Sequence, residues 1–193
     1  MNRNLLRLFG VAVAAAGLFF AAVAAANTTA TADLRQVGAT AIVYKGPQVD
    51  VAVSYRFAKS NPSGNWLLLD TAMTANAPVA LPRTAISVRT PGGEIVALAS
   101  PEAFNNGYRE LNATIARANV AREPMGYLIP RRYRRLEFFP EHRLGLMFPV
   151  AWLDEWHTTY GRLFFQLPDG LQKGNYELLF NLKEGQVTIP FTI

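Results

Sequence analysis

The chain has 193 residues, no cysteine and a formal net charge of +5 at pH 7. The lack of cysteine excludes disulfides, thiol catalysis, thiolate metal sites and iron–sulfur clusters. A chain of this length can bury the core of one domain without such cross-links. The composition therefore predicts a single domain that its hydrophobic core alone holds together.

The N-terminus has the pattern of an export signal. Arg3 and Arg7 precede the uncharged run LFGVAVAAAGLFFAAVAAA, residues 8–26, which ends in small residues that fit a cleavage site. An uncharged run of 19 residues is also long enough to remain as a membrane anchor. We therefore expect an exported protein, periplasmic or secreted, in which residues 1–26 are a signal peptide or an uncleaved anchor. Cleavage would leave 17 basic and 14 acidic residues, too mild a charge to suggest nucleic acid as a partner.

Strand patterns begin after a short polar segment. Residues 27–38 are small and polar and predict a flexible tether ahead of one domain over 39–193. Apolar residues then alternate in VDVAVSYRF, 49–57, which predicts a half-buried strand. WLLLDTAM, 66–73, predicts a second and more buried strand, and AISVRTPGGEIVAL, 85–98, predicts a hairpin around its Pro-Gly-Gly turn.

One amphipathic helix is predicted over about 101–122. Ser100 can cap it and Pro101 suits its first turn, while Pro124 ends it. Apolar residues recur on one helical face at steps of 4, 3 and 4, namely Phe104, Tyr108, Leu111 and Ile115.

The C-terminal third returns to alternating apolar residues, over 144–150, 176–182 and 187–193. Pro190 lies in the last of these strands and is expected at an edge or beside a bulge, because proline cannot donate a ladder hydrogen bond. Many short strands and one helix predict an all-β antiparallel sandwich with an inserted helix. The closing stretch LPDGLQKGNYELLFNLKEGQVTIPFTI resembles, through its Gly-x-Tyr-x-Leu motif, the last strands of immunoglobulin-like sandwich domains in exported bacterial proteins. The resemblance implies an immunoglobulin-like fold and no particular activity.

Signals for catalysis are weak. No nucleophile elbow, phosphate-binding loop or dinucleotide fingerprint occurs, so we expect no cofactor and no enzymatic activity. The densest reactive segment is WLDEWHTTYGR, 152–162, in which Asp154 or Glu155 with His157 could hold a metal or move a proton. A hydrolase of this kind, metal-dependent or acid–base, is the third interpretation. A metal site would also need His142, and no spacing motif supports it.

Two tryptophans in the same segment suggest a ligand platform. In an extended chain, Trp152, Asp154 and Trp156 would share one face, where sugar rings stack on the indoles and the carboxylate takes hydroxyl groups. A carbohydrate-binding module is therefore the second interpretation. The competing structural interpretation buries both tryptophans in the core or a hinge, and it is favoured because aromatic residues dominate cores.

The most informative electrostatic feature is the basic segment 109–135. It holds seven arginines and two glutamates, a net charge of +5, whereas the rest of the cleaved chain carries −2. This helix and basic loop, 101–135, predict a docking surface for an acidic envelope or membrane protein, or for anionic lipid headgroups. The leading interpretation is a non-enzymatic interaction or accessory module at the cell envelope. The residues expected to bind the partner are Arg109, Arg117, Arg122, Arg131, Arg132, Tyr133, Arg134 and Arg135.

Overall fold

The chain is mainly β, with several antiparallel sheets and one main helix, which confirms the predicted all-β class. The computed structural model describes residues 32–140 and 146–193, so the predicted signal or anchor, the first tether residues and His142 lie outside the described residues. The strands are β1 (Asp33–Val37), β2 (Ala41–Lys45), β3 (Val49–Ser54), β4 (Trp66–Ala75), β5 (Val79–Pro82), β6 (Ile86–Arg89), β7 (Ile95–Ala97), β8 (Arg132–Arg135), β9 (Val150–Leu153), β10 (His157–Gln166), β11 (Asn175–Leu182) and β12 (Gly185–Thr192). The helices are α1 (Arg56–Ser60) and α2 (Pro101–Val120), with short 3-10 turns at Arg83–Ala85 and Met125–Tyr127.

The largest sheet has six strands in the order β1-β2-β3-β4-β10-β8. Each neighbouring pair is antiparallel except β10 and β8, which run parallel. Val43, Ala52, Ala72, Tyr160 and Arg135 pair in register across the sheet. Directly paired residues project to the same side, so this row marks one face, called the outer face below.

Strand β1 corrects the predicted tether over Asp33–Val37. These residues pair antiparallel with β2, from Val37 opposite Ala41 to Asp33 opposite Lys45. Gly38 has a φ of 62° in the turn between the two strands, a conformation that glycine adopts without strain. The polar composition suggested a tether, but an exposed edge strand needs few apolar side chains because most of it faces solvent.

The predicted strand over 49–57 is wrong at its end. Strand β3 stops at Ser54, and the single-turn helix α1 follows. Tyr55 and Phe57 are both buried, as the alternation implies. However, Ser54 Oγ accepts a hydrogen bond from the Arg56 amide at 3.4 Å, and Asn61 Nδ2 donates to the Phe57 carbonyl at 3.0 Å. Such side chain to backbone bonds let the chain leave the ladder for a helical turn.

A second sheet of four strands, in the order β12-β11-β6-β7, shares one core with the six-stranded sheet. Strands β6 and β7 confirm the predicted hairpin. Strand β12 is an edge strand, so Pro190 lies at an edge as expected. Strands β5 and β9 form a separate two-stranded ribbon.

Helix α2 covers part of the outer face. It begins as predicted, with Ser100 Oγ accepting from the Ala103 amide at 3.0 Å, and ends at Val120, two residues before the predicted end. Phe104 packs against Phe164 of β10, with ring centroids 5.1 Å apart. Because the helix and the segment after it cover the outer face, all ten residues of β4 are buried.

Candidate docking surface

The arginine run forms the edge strand β8, although its sequence predicted a loop. Arg132 to Arg135 pair with His157 to Tyr160 of β10. Alternation along the strand divides its side chains, so that Tyr133 and Arg135 lie on the outer face and Arg132 and Arg134 on the opposite side. Tyr133 is 68% exposed and stacks on Tyr160, with ring centroids 5.4 Å apart. The arginines therefore line a sheet edge from both sides.

Both tryptophans of the 152–162 segment lie at the surface. Trp152 is 64% exposed and Trp156 is 68% exposed, so the interpretation that both are buried is wrong. Trp152 projects away from the core because it alternates in β9 with the buried Ala151 and Leu153. The chain then turns after Leu153 before β10 begins. Two large indoles are thus available to a partner or ligand.

Arg134 joins the arginine run to the tryptophan segment. Its Nη2 lies 2.8 Å from Asp154 Oδ2, and its Nη1 donates to the Trp152 carbonyl at 3.0 Å. Arg131 Nη1 also donates to the Glu155 carbonyl. Two features that look separate in sequence are therefore one continuous region. We call it the Arg–Trp surface and define it as Arg131, Arg132, Tyr133, Arg134, Arg135, Trp152 and Trp156.

The Asp154 carboxylate accepts backbone hydrogen bonds within the turn between β9 and β10. Its Oδ1 accepts from the amides of Trp156 at 2.9 Å and His157 at 2.8 Å, which fixes the turn. Burial raises the pKa of Asp154, but hydrogen bonds from the His157 side chain, the His157 and Trp156 amides and Arg134 outweigh burial and lower it from 3.8 to about 2. Its carboxylate is therefore charged at neutral pH and already engaged, so a sugar hydroxyl would have to share it.

The contacts of Asp154 and His157 also determine whether this turn could support acid–base or metal chemistry. His157 Nδ1 lies 2.9 Å from Asp154 Oδ1 and 2.7 Å from Arg134 Nη2. A carboxylate with a pKa near 2 is a weak general base, because a base works best with a pKa near the working pH. Across residues 32–140 and 146–193, no group of three or more His, Asp or Glu side chains is placed to hold a metal ion.

The helical arginines differ in their relation to this surface. Arg109 and Arg117 are exposed, and Arg117 Nη2 donates to Thr114 at 3.4 Å on its own helix. Arg122, just beyond the end of α2, lines a cavity together with Tyr133 and Arg135. The structure therefore brings Arg122 to the Arg–Trp surface, whereas Arg109 and Arg117 do not line that cavity.

Sequence reasoning missed the pairing of Asp70 with Arg162, which face each other on the outer face of β4 and β10. Arg162 Nε donates to Asp70 Oδ1 at 3.0 Å, and Arg122 Nε lies 3.7 Å from the same oxygen. Asp70 is the one charged residue in the apolar run WLLLDTAM, and a buried carboxylate needs a cationic partner. The isolated charge of Asp70 therefore indicated that a cationic partner exists. It did not identify that partner as Arg162, which lies 92 positions away in the sequence.

Comparison of the chain with protein-family models, with curated proteins and with solved structures gives no match. Within the described part of the chain, no helix combines the length and the apolar character that crossing a bilayer requires.

Proposed function

We propose that the protein is a non-enzymatic interaction module, exported to the cell envelope, that docks on an acidic region of an envelope or membrane protein through the Arg–Trp surface. We also propose that its sandwich is of the immunoglobulin-like type, because the β11–β12 hairpin carries the motif that suggested this resemblance. The observation that carries the docking proposal is the attachment of the tryptophan turn to the arginine strand by Arg134.

The composition of the surface favours a protein partner. Trp, Tyr and Arg dominate the binding energy of protein interfaces, and here all three types lie along β8 or in the segment attached to it. Tyr133, Trp152 and Trp156 are each more than 60% exposed. Single exposed apolar side chains are common on monomers, but Trp152 in β9 and Trp156 in the turn that follows lie only four positions apart, which supports burial against another molecule.

Rigidity also favours binding. Arg134 and Asp154 fix the turn that presents Trp156, and the pairing of β8 with β10 fixes Tyr133. A surface that is already ordered loses little conformational entropy when a partner binds. The positive charge of Arg131, Arg132 and Arg135 supplies complementarity to an acidic partner and predicts that docking weakens as the salt concentration rises.

The test is isolation of the tagged full-length protein from its native membranes in mild detergent, followed by binding measurements with the protein that co-purifies. The surface variant combines Arg132→Gln, Trp152→Ala and Trp156→Ala. The control variant Arg35→Gln, Leu34→Ala and Ile95→Ala also removes one charge and two exposed apolar side chains, but on β1 and β7.

We expect a stoichiometric partner whose affinity falls about tenfold or more in the surface variant, because interface hot spots contribute at least that much. The control variant should bind like the wild type, and wild-type affinity should fall with added salt. Equal binding by both variants, or a protein that purifies alone from its membranes, would overturn the proposal.

A carbohydrate-binding module is the second candidate, and the exposure of Trp152 and Trp156 favours it. Indole rings at the surface stack on the C–H faces of sugars. Titration of the tryptophan fluorescence with a panel of cell-wall and plant glycans tests this directly. Saturable quenching that disappears in Trp152→Ala would favour the carbohydrate function over protein docking, and silence across the panel would remove it.

A further inference from the structure

Two adjoining cavities lie on the outer face, between the end of α2 and strands β8 and β10. Their volumes are about 350 and 570 Å³. Arg122, Tyr133 and Tyr160 line both of them, so the stacked tyrosine pair borders each cavity. Together they fall in the size range of sites for small organic ligands.

Arg162 has a hydrogen-bond donor that the protein does not use. Its side chain is only 10% exposed. Nε donates to Asp70 and Nη1 donates to Asn119 at 3.1 Å, but Nη2 is buried without a partner in the part of the chain that the structure describes. A buried N–H of a charged group is costly to leave unpaired. Because Arg162 also lines the 350 Å³ cavity, an acceptor bound there is a candidate partner for this N–H after a small rotation of the guanidinium.

The guanidinium of Arg122, which approaches the same Asp70 oxygen as Arg162, also has hydrogen-bond donors that the described residues do not use. Its side chain is half exposed and makes no hydrogen bond to any described residue. Its Nε lies 3.7 Å from Asp70 Oδ1, the oxygen that also accepts from Arg162. Asp70 thus holds two arginines at the same place but can neutralise the charge of only one of them.

The charges around the cavities do not cancel. The acidic lining residues are Asp70 and Glu123, and Glu123 already accepts from Thr40 at 3.1 Å and Ser54 at 3.0 Å. Even when Arg135, which has interactions of its own, is left out, three arginines line the cavities against these two carboxylates. The basic lining residues are Arg122, Arg131, Arg135 and Arg162.

We propose that these cavities form a binding site for a phosphomonoester, with the phosphate on the Nη side of Arg122 and Arg162, whose Nε atoms face Asp70, and an apolar or ring-bearing body along the adjoining wall. A phosphate monoester is an anion, and its three terminal oxygens can accept from two guanidinium groups at once. Apolar side chains on the same wall can contact the body of the ligand, namely Ile115, Leu136, Phe139 and Phe164. The site shares Arg131, Tyr133 and Arg135 with the Arg–Trp surface, but neither tryptophan lines it. Arg122 and Arg162 lie outside the Arg–Trp surface as defined, so variants at these two positions test the cavities separately from the docking proposal.

Calorimetric titration of the full-length protein with inorganic phosphate, phenyl phosphate and benzoate tests the site. Binding to vesicles that contain phosphatidate, compared with vesicles of phosphatidylcholine alone, tests whether the phosphate belongs to a lipid headgroup or to a soluble ester. The variants are Arg122→Gln and Arg162→Lys, with Arg117→Gln as the control, since Arg117 is an exposed arginine on α2 that does not line the cavities.

We expect phenyl phosphate to bind more tightly than inorganic phosphate or benzoate. Loss of a charge-assisted hydrogen bond should weaken its binding about tenfold or more in Arg122→Gln and leave Arg117→Gln unchanged. If Arg162→Lys fails to fold, Arg122→Gln still tests phosphate binding, because the half-exposed Arg122 side chain can be replaced without disturbing the core. Tighter binding to phosphatidate vesicles than to phenyl phosphate would show that the phosphate belongs to a lipid headgroup. Tighter binding to phenyl phosphate would show that it belongs to a soluble ester. No binding to any of these phosphates, or equal binding by Arg122→Gln, would overturn the proposal.

Discussion

Arg134 Nη2 lies 2.8 Å from Asp154 Oδ2, and this ion pair ties the edge strand β8 to the turn between β9 and β10. The two residues are 20 positions apart in the chain. Through this contact, the arginine run and the tryptophan pair become parts of one surface. Arg134 has a structural role, therefore, while its neighbour Arg132 is free to contact a partner.

Arg134→Gln should destabilise the fold, and Arg132→Gln should not. Arg134 contacts Asp154, His157 and the Trp152 carbonyl, and its removal leaves a partly buried carboxylate without its cation. We expect the free energy of unfolding to fall by about 1–3 kcal/mol in Arg134→Gln and by less than about 0.5 kcal/mol in Arg132→Gln. Urea unfolding followed by circular dichroism measures both, and equal losses would refute the distinction.

Stability should depend on the ionisation of Asp154. Its pKa is about 2 in the folded protein and near 3.9 in an unfolded chain. The ionised carboxylate therefore stabilises the fold fully above about pH 4, and this contribution is lost as the pH falls from there towards 2. In unfolding experiments across this range, the stability difference between wild type and Asp154→Asn should be largest above pH 4 and shrink towards pH 2. A difference that stays constant with pH would contradict the prediction.

The three tryptophans should separate into two exposed and one buried. Trp66 is 6% exposed, whereas Trp152 and Trp156 are each more than 60% exposed. Trp66→Ala should cost about 3–5 kcal/mol of unfolding free energy, while Trp152→Ala and Trp156→Ala should each cost less than about 1 kcal/mol. Acrylamide should quench most of the fluorescence of the wild type. A double Trp152→Phe, Trp156→Phe variant should retain blue-shifted emission that acrylamide barely quenches.

Gly107→Ala should destabilise the protein although alanine favours helices. A Cβ at Gly107 would lie 2.5 Å from Trp66 Cζ2, and Trp66 is buried and has little room to move. The gain in helix propensity is about 1 kcal/mol, and overpacking costs about 1–3 kcal/mol, so we expect a net loss. Asn112→Ala, at an exposed position of the same helix, should be neutral or slightly stabilising. Thermal unfolding of the two variants gives the comparison, and a higher midpoint for Gly107→Ala would show that the helix does not approach Trp66 so closely.

Local patterns account for most of the secondary structure. Alternating apolar residues predicted β3, β11 and β12, and the Ser100-Pro101 pair predicted the start of α2. Errors arose where a pattern suits two structures, and the alternation predicted over 144–150 gives no strand at 146–149, since β9 begins only at Val150. The polar Asp33–Val37 suits a tether or an exposed edge strand, and Tyr55 and Phe57 can be buried from a strand or from a helical turn.

The sequence by itself determined the all-β class, the main helix α2 and the concentration of positive charge in 109–135, because each depends on neighbours along the chain. Only the tertiary structure decided that Trp152 and Trp156 are exposed, that Arg134 joins them to β8, and that Arg162 meets Asp70 from 92 positions away. The physical reason is that composition and periodicity act within one strand or helix. Contacts between distant side chains depend on strand order, on the parallel pairing of β8 with β10 and on which face α2 covers.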